Sequence, residues 1–66
     1  MNVAGMYSIK VVMQLTGLGR STINEKVNPK HDRFDPTFPK KYKISTGRIG
    51  FKADEIQNWL ASRSEI

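Results

Sequence analysis

The sequence predicts an α+β fold, a small winged helix-turn-helix with three helices and a two-stranded β-hairpin wing. Three observations carry this. Two short helical patterns of apolar residues flank the turn Thr16-Gly17-Leu18-Gly19. From Lys40 onward the pattern changes to alternation of apolar with mostly basic residues. A last helical pattern then places Ile56, Trp59 and Leu60 at i, i+3 and i+4, the clearest period in the chain.

Residues 1–7 carry no period and read as a tail with room for a short strand at Met6 and Tyr7. Ser8 is a candidate N-cap, because its hydroxyl can accept from a free amide of the first turn. Ile9, Val12 and Met13 follow at i, i+3 and i+4 and define the first helix. Gly17 ends it by taking the left-handed conformation beyond the last turn. The second helix is expected from 20 to about 27, burying Ile23 and Val27 one turn apart. Asn28-Pro29 stops it, since proline disfavours a helical residue before it.

All three prolines and the single histidine fall between 29 and 39, a long loop tacked down by Phe34 and Phe38. Tyr42 and Ile44, then Ile49 and Phe51, alternate with polar residues around Thr46-Gly47. That is a hairpin signature, and it places those four apolar residues on one inner face. The third helix is expected over about 53–63, with Asp54 and Glu55 favourable at its positive end and Arg63 at its negative end. The domain thus runs 8–63, with tails at 1–7 and 64–66.

At 66 residues the chain is one domain near the lower size limit for unaided folding. It has no cysteine, so neither disulfides nor thiolate metal sites are available. No signal peptide, membrane-length apolar run or lipidation motif is visible, and a cytoplasmic setting is expected. An enzyme is not expected. One histidine, His31, beside Asp32 and Asp35 in a proline-rich loop falls short of a closed metal site, and so short a chain scarcely encloses a pocket. No cofactor is implied.

The net charge of +5 favours polyanionic partners. Its placement sharpens that reading. The second helix offers Arg20, Ser21, Thr22, Asn24 and Glu25 at and near its start, where a recognition helix meets base edges. Arginine can pair with guanine through two hydrogen bonds, and asparagine with adenine. Ser21 and Thr22 suit phosphates near the positive helix end. Glu25 would repel phosphate and is expected to face a cytosine amino group or solvent.

Between 40 and 52 the charged residues are Lys40, Lys41, Lys43, Arg48 and Lys52, with no acid among them. With Ser45 and Thr46 they suit a wing laid along phosphates, Arg48 reaching the minor groove. Lysines guarding a strand edge against aggregation are the plainer alternative. The co-occurrence of basic hairpin and polar helix face favours double-stranded DNA as partner. A protein-interaction module that binds an integrase or another regulator is the competing reading.

Several stretches together resemble the AlpA family of small prophage-encoded regulators, related to excisionases and to the winged helix of MerR-type activators. They are Ile9-Lys10, Val12, Thr16-Gly17-Leu18, Arg20-Ser21-Thr22-Ile23, Asp35-Pro36-Thr37-Phe38-Pro39-Lys40, Gly47-Arg48-Ile49-Gly50-Phe51 and Glu55-Ile56-Gln57-Asn58-Trp59-Leu60-Ala61-Ser62-Arg63. The resemblance implies a bacterial or phage DNA-binding protein that regulates transcription or serves as an excision directionality factor. Phage integrase is a candidate partner in that setting, and because a single wing-and-helix unit buries little DNA, further copies at adjacent sites are expected as well. The resemblance places Arg20, Ser21 and Thr22 in the recognition helix and Arg48 at the wing. The chain departs from the family pattern at Gly19, Asn24 and Glu25, where serine, an aromatic and a basic residue are common, and in a longer linker before Asp35. These differences fall on the face that would read a target.

Overall fold

The computed structural model describes residues 5–63. Of the tails expected at 1–7 and 64–66, residues 1–4 and 64–66 lie outside the described residues. In chain order the elements are β1 (Met6–Tyr7), α1 (Ile9–Thr16), α2 (Arg20–Val27), β2 (Tyr42–Ser45), β3 (Arg48–Lys52) and α3 (Ala53–Ala61). The α+β winged helix-turn-helix is therefore present, with one correction. The sheet has three strands, not two, in the order β1-β3-β2. β1 pairs antiparallel with β3, Met6 opposite Lys52 and Tyr7 opposite Phe51.

Local chemistry sets the helix ends. The Val11 amide donates to Ser8 Oγ at 3.2 Å, capping α1. Gly17 takes φ 75° and its amide donates to the Met13 carbonyl at 2.9 Å, closing the helix where a side chain would be strained. Thr16 Oγ1 bridges this end: it donates to the Val12 carbonyl at 2.8 Å and accepts from the Leu18 amide at 3.2 Å. Leu18 is thereby held half-buried in the angle between α1 and α2, against the core. α3 ends two residues before the expected boundary. Arg63 lies past its end, with the guanidinium 4.3 Å from the centre of the Trp59 ring.

Val12, Ile23, Phe38, Phe51 and Ile56 form the buried core, one from each helix, one from β3 and one from the long loop. Phe38 packs edge-on against both Phe51 and Trp59, ring centres 6.3 and 4.9 Å apart. Phe38 thus ties the loop to the core as expected, whereas Phe34 stays exposed. Short-range bonds shape that loop. Asn28 Oδ1 accepts from the Lys30 amide at 3.0 Å, and Asp35 Oδ1 accepts from the amide and hydroxyl of Thr37 at 2.9 and 2.6 Å.

The single inner face expected for the hairpin is not observed. Thr46-Gly47 forms the two-residue turn, with Gly47 at φ 75° and Ser45 opposite Arg48. Beyond it Lys43 stands opposite Ile49 and Tyr42 opposite Gly50, so β2 carries one extra residue, a β-bulge at Ile44. An unbroken ladder from the same turn would have set Ile44 against Ile49 and Tyr42 against Phe51. The bulge shifts the pairing by one residue and turns β2 over. Tyr42 and Ile44 now share a face with Gly50, while Lys43 shares one with Ile49 and Phe51. Only Phe51 of the four is buried; Ile44 and Ile49 are exposed.

Candidate nucleic-acid interface

α2 starts at Gly19, whose carbonyl accepts from the Ile23 amide at 3.1 Å and which brings no capping side chain. The amides of the first turn are thus left for an outside acceptor, at the positive end of the helix dipole. Arg20, Ser21 and Asn24 are exposed there, and Thr22 is half-buried. Ile23 alone is fully buried on this helix.

Glu25 is turned another way. Its Oε1 lies 3.5 Å from Arg33 Nη1, so its charge is directed to the loop. Lys26 Nζ lies 3.5 Å from Asp35 Oδ2, and the Asp35 amide donates to the Lys26 carbonyl at 2.9 Å. Two ion pairs thereby strap the loop along α2. Hydrogen bonds from the Thr37 hydroxyl and amide, with the Lys26 charge, hold the Asp35 carboxyl below the usual carboxylate range. His31 Nδ1 accepts from the Arg33 amide at 3.0 Å, a turn contact within the loop. Among the described residues there is no cluster of three or more metal-ligating His, Cys, Asp or Glu side chains. No described helix is long and apolar enough to cross a membrane.

The wing meets α2 through the face that the bulge creates. Arg20 and Asn24 of α2, Lys41 and Ile49 of the wing, and Ile9 and Phe51 beneath them line one notch of about 170 Å³. Lys41 and Ile49 also border the neighbouring depression of about 250 Å³, whose lining includes Lys43, Ser45 and Arg48. The positive end of α2 and the basic ribbon are therefore contiguous. No carboxylate lines either hollow. Thr46 is exposed at the tip.

Two of the expected wing lysines stand apart from this surface. Lys52 Nζ sits 4.7 Å from the centre of the Tyr42 ring, on the opposite face of the ribbon. There the Tyr42 hydroxyl donates to Glu55 Oε2 at 2.9 Å, a bond that raises the Tyr42 pKa. Lys40 borders a hollow between the 36–39 segment and α3. Sequence reasoning missed Ile49, because strand alternation assigned it to the core. It also missed the Glu25–Arg33 pair, which joins residues in a helix and an aperiodic loop.

The family model described as "Prophage CP4-57 regulatory protein (AlpA)" matches residues 7–64. The chain is 40% identical over 58 residues to the "DNA-binding transcriptional activator AlpA" of Escherichia coli (strain K12), an alignment covering 88% of this chain and 83% of that protein. No solved structure matches significantly. With the family model spanning nearly the whole chain, the protein belongs to the AlpA family of prophage regulatory proteins.

Proposed function

We propose that this protein is a sequence-specific double-stranded DNA-binding regulator of transcription. In this reading α2 enters the major groove, with Arg20 and Asn24 toward base edges and Ser21 and Thr22 toward phosphates. Lys41, Lys43, Ser45, Thr46 and Arg48 follow the backbone along the wing. Lys40 and Lys52 add long-range attraction from beyond that surface. The observation that carries the reading is the shared notch: Arg20 and Asn24 border the same carboxylate-free hollow as Lys41 and Ile49. The relative named as a DNA-binding activator supports it. Excision-factor activity is a finer form of the same role, with integrase as partner. A single domain of this size buries little DNA, so further copies at adjacent sites would raise affinity.

The test is a duplex titration at several salt concentrations with footprinting on flanking genomic DNA. Affinity is expected to fall by orders of magnitude between about 50 and 200 mM salt. Arg20→Ala should lose roughly 1–3 kcal/mol of discrimination at one base position, whereas Lys43→Ala should weaken all duplexes alike. Equal, sequence-independent losses in both variants would show the roles to be misassigned. Binding that ignores salt would remove the phosphate contacts altogether.

A further inference from the structure

We propose that the notch between α2 and the wing is a clamp for one deoxyribose-phosphate unit of a bound DNA strand. This rests on the DNA-binding reading and adds a ligand chemistry to one site within it. The lining is mixed in a specific way. Ile9 and Ile49 supply an apolar floor over the buried Phe51, Lys41 supplies positive charge at one wall, and Arg20 and Asn24 border the side turned toward the bases. A sugar-phosphate has that same duality: aliphatic C–H faces on the ring and an anion beside it.

Other occupants fit less well. At about 170 Å³ the notch is smaller than the roughly 300–1,000 Å³ typical of free small-molecule sites. A splayed base would want an exposed aromatic plane to stack on, and the one aromatic residue here, Phe51, is fully buried. Ile49 is the decisive residue. It is 55% exposed, the most exposed of the large apolar side chains described, and it borders a hollow lined by Lys41, Lys43 and Arg48. Sugar carbons would cover it. The location also fits, because the notch lies between α2 and the wing, the two elements assigned to the DNA.

The clamp makes a second chemical demand. A ribose would place its 2′-hydroxyl, a donor and acceptor, against the apolar floor, where its lost hydration is not replaced. The notch therefore favours deoxyribose at that one position.

The experiment begins with a duplex selected from a random pool by the wild-type protein at low salt. Two series of that duplex follow, one with a single neutral methylphosphonate at each position in turn, the other with a single ribonucleotide. In wild type, one phosphate position should lose on the order of tenfold in affinity when neutralised, and that loss should vanish in Lys41→Ala but persist in Lys41→Arg. At the adjoining sugar, a ribonucleotide should weaken wild type and leave Ile49→Ser unaffected. Both side chains are exposed, and thermal melts of the variants check their folding. Methylphosphonate losses that are the same in wild type and Lys41→Ala at every position overturn the clamp, as does a ribonucleotide penalty untouched by Ile49→Ser. In both cases duplex binding itself stands. Failure of the wild-type protein to select any duplex overturns the DNA-binding reading and the clamp with it.

Discussion

Gly50→Ala tests the sheet at its tightest point. Gly50 is buried in the middle of β3, between β1 and β2. A Cβ there would lie 2.6 Å from Ile44 Cδ1 and 2.8 Å from the Tyr7 carbonyl oxygen. The first neighbour is the end of a flexible side chain and can rotate away. The second is backbone, so β1 or β3 must move. β1 has only two residues, and its displacement also strains the bond from Gln57 Nε2 to the Tyr7 hydroxyl and the one from the Ala53 amide to the Gly5 carbonyl, 3.0 and 2.7 Å. Overpacking of this kind costs about 1–3 kcal/mol, offset by about 0.4–1 kcal/mol from the stiffer unfolded chain. The net loss is about 1–2 kcal/mol, or a fall in Tm of roughly 5–15 °C for so small a domain. Thermal unfolding followed by far-UV circular dichroism measures it. Adding Ile44→Val relieves the side-chain contact alone and should recover only part of the loss. A Gly50→Ala protein as stable as wild type, or complete recovery in the double variant, would refute the claim that the β1 backbone sets this limit.

Two further outcomes follow from the core and the loop. Phe51→Ala removes the largest fully buried side chain at about 3–5 kcal/mol, against a total stability of roughly 3–10 kcal/mol for a chain of this length, so denaturant titration should show the loss of roughly a third or more of the stability. Asp35 has a depressed folded pKa, so the stability it contributes is present above the ordinary carboxylate range and is lost as pH falls through the folded value. Asp35→Ala should accordingly lower stability by about 1 kcal/mol at pH 7, and its gap from wild type in denaturant titrations should narrow in acid; a gap constant with pH would mean the ionised carboxylate is not what organises the loop.

The helices were legible because their signals are local. Ser8 and Gly17 cap α1 where the sequence puts them, and Ile23 and Ile56 lie on the faces their spacing assigns. The hairpin was legible only in part. Alternation along β2 is the same whether or not a residue bulges, so Tyr42 and Ile44 reveal their period but not their phase relative to Ile49 and Phe51. That phase depends on the bulge at Ile44, which no residue type announces. β1 is too short to show a period, and its pairing is a property of β3 as much as of itself. The residue types of the candidate interface were readable as charge. What joins Arg20 and Asn24 to Lys41 is the turned-over strand, and with it an isoleucine that the sequence pattern had assigned to the core.

α2 is anchored in the core by one fully buried side chain, Ile23. Most of its outward positions can therefore mutate without disturbing how the domain folds. Changes at Arg20, Ser21 and Asn24, its exposed positions, should thus remodel the outer surface of the helix while the scaffold stays put.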